Sequence, residues 1–113
     1  DVIVTNPTHY AVAIKYDTDK AGAPIVLAKG IDQMALQIRK IAKEHEVPVL
    51  ESPPLARSLH HFTDVGAQIP DQLFVAVAQV LAYVFQLKQY KKGRGQRPTK
   101  LSKKLPIPDE FKQ

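Results

Sequence analysis

Val2-Ile3-Val4-Thr5-Asn6-Pro7-Thr8-His9-Tyr10-Ala11-Val12-Ala13-Ile14 sets two apolar, β-branched runs on either side of a four-residue polar break. Val and Ile are stiff at χ1 and suit a pleated, half-buried surface, so each run is predicted to be a strand. Residues 6–9 then make the turn of a hairpin. Asn tolerates positive φ, Pro fixes its own φ and pushes the residue before it out of the α region, and Thr can bond back to nearby backbone.

The same break carries chemistry. Asn ordinarily deamidates when the next residue's backbone nitrogen attacks its side chain, but Pro7 has no N–H to lose and that route is closed. The reverse attack stays open. The Asn6 side-chain nitrogen can attack its own backbone carbonyl, close a succinimide and expel the Pro7 nitrogen, cutting the chain between Asn6 and Pro7. An amide nitrogen is a poor nucleophile, so the turn must supply positioning, which is worth roughly 7–11 kcal/mol in well-oriented intramolecular reactions. Backbone strain at Asn6 would add on the order of 1–3 kcal/mol. His9 is suited to accept a proton or hold the geometry, and Thr8 to orient the amide. In an arbitrary sequence, however, Asn-Pro is an inert turn, and a dipeptide alone does not establish cleavage.

Downstream, Pro24 introduces a third strand over residues 25–28, an apolar run expected at the centre of the sheet and broken by Gly30. Ile31, Met34, Ala35, Ile38, Ile41, Ala42 and His45 then fall on one stripe of an amphipathic helix. Val47-Pro48-Val49-Leu50 is a short fourth strand, placed at an edge by Pro48. Ser52 is positioned to cap a second helix with Pro53 and Pro54 in its first turn, running to about Phe62. Pro70 and Asp71 start a third, on which Leu73, Ala76, Val77, Val80, Leu81, Val84 and Leu87 form a wide apolar face. Phe74 and Phe85 widen it, so this helix is either largely buried or carries a docking groove. The expected fold is α/β: a four-stranded mixed sheet with helices packed around it, in a single domain over residues 1–88, with residues 89–113 a basic, flexible tail.

Composition narrows the function. The 113 residues suffice for one core, and 44% hydrophobic with 24% charged residues is ordinary for a globular chain. Without cysteine there are neither disulfides nor thiolate metal sites. The most apolar run, residues 73–85, falls short of the ~20 residues a membrane span needs. Lys88, Lys91, Lys92, Arg94, Arg97, Lys100, Lys103 and Lys104 are half of the sixteen Lys and Arg, with no acid between them. The net charge of +5, less those eight, leaves −3, so the basic signal belongs to the tail. Clustered cations attract RNA phosphates or anionic lipid. Yet Tyr90 is their only aromatic companion and no stacking platform follows, so a solvated tail is the plainer expectation and no nucleic acid is expected as partner. His60 and His61 are adjacent, hence ~100° apart on a helix, and do not chelate as an i, i+4 pair would. No metal and no classical hydrolase site is expected.

Asn6-Pro7-Thr8-His9-Tyr10-Ala11-Val12-Ala13, with Lys15-Tyr16-Asp17 after it, resembles the autocleavage segment of the type III secretion switch proteins, the FlhB/YscU family. The likeness continues through Ala23-Pro24-Ile25-Val26-Leu27-Ala28-Lys29-Gly30, Val47-Pro48-Val49-Leu50-Glu51, Pro53-Pro54-Leu55-Ala56-Arg57-Ser58-Leu59 and Ile69-Pro70-Asp71-Gln72-Leu73. It covers the chain to about residue 87. Tyr10 after His9, and Pro53-Pro54 before Leu55, are more similar to the flagellar branch than to the virulence injectisome branch. The resemblance implies a single self-cleavage without turnover and without cofactor, hence not an enzyme in the ordinary sense. It implies a switch of export from rod and hook to filament subunits. The implied partners are those subunits, the hook-length ruler protein and the other export-gate membrane protein. It also implies a place at the cytoplasmic face of the bacterial inner membrane, as part of a longer protein whose N-terminal membrane segment is absent here; the missing initiator Met fits a fragment. Ala23, Pro24, Ala78 and Leu81 match positions that resemble a small apolar pocket for a short segment of early export substrates.

Overall fold

Two β-branched runs joined by four residues pair with each other, and they do so here: β1 (Val2–Asn6) and β2 (Tyr10–Lys15) are antiparallel, with Val2 opposite Ile14 and Asn6 opposite Tyr10. The computed structural model describes residues 2–6, 9–16, 22–93, 95 and 105–111. Around the hairpin are β3 (Ile25–Ile31), α1 (Asp32–Glu44), β4 (Val49–Glu51), α2 (Pro53–Phe62) and α3 (Phe74–Lys91), the last entered through a 3-10 turn, Asp71–Leu73. The sheet order is β3-β2-β1-β4, with β4 parallel to β1.

Side-chain alternation sends successive residues of a strand to opposite faces, and the hairpin therefore builds two cores. Val2, Val4, Val12 and Ile14 meet α2, the 3-10 turn and α3 through Leu55, Leu59, Leu73, Ala76, Val77 and Val80. Ile3 and Ala11 meet α1 on the other face through Ala35 and Ala42. A four-stranded mixed sheet with helices on both faces, in one domain, is the architecture expected from the sequence.

The details correct several expectations. β3 is an edge strand, not a central one, because β4 takes the place beside β1; its Leu27 and Ile31 are about half exposed. Its first half is protected by the loop that follows α2, with Val26 N–H donating to Ala67 O and Ile69 N–H to Pro24 O. Gly30 does not break β3 but stays paired with Ala11, since α1 packs so close that a Cβ there would lie 2.6 Å from Met34 Cβ. The buried stripe of α1 is narrower than its apolar spacing suggests: Ala35 and Ala42 are buried, while Met34 and Ile41 are exposed. Ser52 stands at the N-cap of α2 without a side-chain cap; its backbone N–H is taken by Thr5 O.

The boundary drawn at residue 88 falls inside α3, and Leu105, Ile107 and Phe111 are buried in the α2/α3 core. Ser58 Oγ donates to Phe111 O at 2.6 Å and the Phe62 and Phe111 rings meet edge to face. Residues 105–111 are thus part of the body. Their three hydrophobes are spaced among Lys and Pro, and no periodicity announces them. Arg94, Arg97, Lys100, Lys103 and Lys104 lie outside the described residues. The span Asp71–Lys91 is, by length and composition, long and apolar enough to cross a membrane. Here Ala76, Val77, Val80 and Val84 pack it into the core instead, leaving Phe85 63% exposed on its far side.

Candidate functional site

Across the hairpin turn, His9 N–H donates to Asn6 O at 2.9 Å. That oxygen belongs to the carbonyl that joins Asn6 to Pro7. An N–H aimed at it withdraws electron density and stabilises charge on the oxygen when a nucleophile adds to the carbon. Asn6 ends β1 and is half-buried. Pro7 and Thr8, the other two residues singled out in the turn, lie outside the described residues.

His9 is held from the far side of the sheet margin. Where β3 passes into α1, Asp32 takes a left-handed φ of 46°, a conformation that Asp tolerates better than most residues. This aims its N–H at His9 O, 3.0 Å away. The side chains follow, with His9 Nδ1 3.7 Å from Asp32 Oδ1, but both are well over half exposed, so the pair orients more than it stabilises.

Tyr10, paired across the hairpin with Asn6, meets the end of α2. Its ring centroid lies 5.0 Å from that of His60 and 5.6 Å from that of His61, and its hydroxyl is 3.3 Å from His61 Nε2. Lys29 of β3 donates to the carbonyls of His60 and Thr63, both at 2.9 Å, and so places its cation at the negative end of α2. Burial, and then the neighbouring Lys29 and His61, push the His60 imidazole below its usual range. His60 Nδ1 is buried without a hydrogen-bond partner among the described residues. In the sequence, the adjacency of His60 and His61 speaks only against chelation, and nothing local marks Tyr10, Lys29 or Asp32 as functional. The available signal was strand parity: Tyr10 shares a face with Val12 and Ile14, and so must meet whatever covers them. Among the described residues no three His, Asp or Glu side chains converge as metal ligands.

A second site lies away from the turn. Ala23, Pro24, Ala78 and Leu81 line one shallow apolar concavity of 390 Å³, together with Tyr16, Gly22 and Phe74. The chain entering β3 supplies one wall and successive turns of α3 the other. Ala78 is exposed and Leu81 partly so. Of the basic cluster, Lys88 and Lys91 belong to α3 and border, with Lys43, a separate concavity of 470 Å³ floored by Val47, Pro48 and Leu87.

Residues 1–84 match the model of the FlhB HrpN YscU SpaS family. The flagellar biosynthetic protein FlhB of Salmonella typhimurium is 56% identical over 109 residues, which are 96% of this chain and 28% of that protein. The chain thus spans little more than a quarter of that curated relative's length. The crystal structure of the cytoplasmic domain of FlhB from Shewanella putrefaciens superposes with a TM-score of 0.95 at 54% identity, covering all of this chain and 87% of that one. An Asn-to-Ala variant of the EscU C-terminal domain gives 0.70 at 41% identity, over 72% of this chain and 81% of that one.

Proposed function

The chain belongs to the FlhB HrpN YscU SpaS family, and from that premise we propose that it is the self-cleaving switch domain of a flagellar type III protein export gate. Cleavage falls between Asn6 and Pro7. The Asn6 side-chain nitrogen adds to the Asn6 carbonyl carbon, the C–N bond to Pro7 breaks, and the Pro7 nitrogen takes up a proton and leaves as a secondary amine. The succinimide stays on the N-terminal piece and later hydrolyses. The observation that carries this is the hydrogen bond from His9 N–H to the Asn6 carbonyl, in a turn whose leaving nitrogen belongs to proline. Thr8 and His9 serve this turn, Thr8 by orienting the amide and His9 by accepting a proton or holding the geometry. His9 is tied at its backbone and side chain to Asp32.

The reaction occurs once per chain and needs no cofactor. Its two products stay together, because β1 is hydrogen-bonded on both sides, to β2 and β4, and Val2, Ile3 and Val4 are buried. What changes is the local surface and freedom of the turn. We propose that this change moves export from rod and hook subunits to filament subunits, in contact with the hook-length ruler and the other export-gate membrane protein, at the cytoplasmic face of the inner membrane. The concavity of Ala23, Pro24, Ala78 and Leu81 receives a short apolar segment of the early substrates. Denaturing mass spectrometry of the purified chain tests the central claim: a species of residues 7–113 is expected, and its absence at every incubation time would refute self-cleavage.

A further inference from the structure

Resting on the reading of the hairpin as a self-cleaving turn, we propose that His61, acting through the Tyr10 hydroxyl, is a positioning residue for cleavage and makes the reaction sensitive to acid. Asn6 and Tyr10 are register partners. Directly paired residues project their side chains to the same face, with Cβ atoms about 4.5–5.5 Å apart. That face is the one on which Val2, Val4, Val12 and Ile14 meet α2 and α3. The Tyr10 ring therefore shares a sheet face with the Asn6 side chain, at the register position beside the attacking amide.

The ring is in turn contacted from α2. His60 flanks it at 5.0 Å, His61 meets it edge-on at 5.6 Å, and the hydroxyl lies within 3.3 Å of His61 Nε2. The end of α2 that bears both imidazoles is fastened to β3 through the two Lys29 bonds and to the core through Leu59. A rigid element thus fixes Tyr10, and Tyr10 borders Asn6. Misplacing a reacting group by ~1 Å can cost about a hundredfold in rate.

The groups around this clamp are His9 and Tyr10 from the hairpin, Lys29 from β3, Asp32 from the start of α1 and His60 on α2 itself. We assign the Tyr10 hydroxyl as donor to the lone pair on His61 Nε2. A proton on His61 Nε2 occupies that lone pair and leaves the hydroxyl without its acceptor. Acid therefore loosens the clamp and slows cleavage.

The test follows full-length chain made by cell-free translation and chased between pH 5.5 and 8.0, with cleavage read by denaturing mass spectrometry and a melting curve for each variant. Tyr10→Phe and His61→Ala are each expected to slow cleavage roughly fivefold near neutrality, the effect of one lost hydrogen bond. The double variant should be no slower than the slower single. His61→Gln can accept the same bond at every pH, so it should recover most of the neutral rate while the acid fall becomes shallower. Rates equal to the unsubstituted chain, additive losses, or slowing that merely tracks a lower Tm would overturn the proposal while leaving self-cleavage standing. So would an acid fall unchanged in His61→Gln, which would move the pH sensitivity to His9. No cleavage in the unsubstituted chain would remove both.

Discussion

At the scale of single residues, the site separates a group that reacts from groups that hold it. Asn6→Ala removes the attacking nitrogen and is expected to abolish the 7–113 species while leaving the melting curve in place, since Asn6 ends its strand and is half-buried. Pro7→Ala should slow cleavage and reopen deamidation, visible as a +1 Da product and its isoaspartyl isomer. His60 offers a second test. Burial, Lys29 and His61 hold its imidazole below the ordinary 6.5, so the folded state prefers it neutral. Below about pH 6.5 the unfolded chain takes up a proton that the fold resists. The stability contributed is therefore complete above that pH and is lost as pH falls from there toward the lowered value. Melting curves between pH 7.5 and 5 should show a shallower acid decline for His60→Gln than for the unsubstituted chain; identical slopes would mean that His60 is solvated in the fold.

Among the elements, β3 and α1 are joined by a close approach that only glycine permits. A Cβ at residue 30 would lie 2.6 Å from Met34 Cβ and 3.0 Å from the Met34 carbonyl carbon, both on the first turns of α1. Gly30→Ala should force helix and strand apart and cost about 1–3 kcal/mol, an effect measurable by urea denaturation. It should also slow cleavage, because Asp32, whose N–H holds His9 O, sits at that junction. The α3 element carries the other test. Ala78 is exposed at the rim of the apolar concavity, so Ala78→Asp should fold normally and cleave normally. A charge where an apolar side chain must sit should weaken binding of a rod- or hook-subunit peptide more than tenfold by calorimetry. Unchanged affinity would remove the pocket from the proposed function.

For the molecule as a whole, the C-terminal segment decides stability. Leu105, Ile107 and Phe111 close the α2/α3 core, and Ser58 bonds the Phe111 carbonyl. Burying three such side chains gains about 1.5–3 kcal/mol each, set against the chain entropy of ordering the segment. Truncation after Gly95 should therefore lower Tm by ~4 °C or more, and a melting temperature unchanged by that truncation would show the segment's burial to be marginal. Cleavage, by contrast, should leave the molecule assembled. The piece ending at Asn6 is expected to co-elute with residues 7–113 in native size exclusion and to separate only in denaturant, because its strand lies inside the sheet.

The local order of the chain was written in the sequence. β-branched runs around Asn6-Pro7, the prolines that start strands and helices, and the 3.6-residue spacing of α1 and α3 each act over a few residues, and they determined the hairpin, the helices and the chemistry available to the turn. Long-range placement was not written there. That β4 and not β3 lies beside β1, that Gly30 is demanded by Met34, and that Phe111 returns to Ser58 all depend on which surfaces meet after folding. The same holds at the candidate site. The hairpin supplies Asn6 and His9 as near neighbours in sequence, whereas the contact of Tyr10 with His61, fifty-one residues away, exists only because α2 covers that face of the sheet.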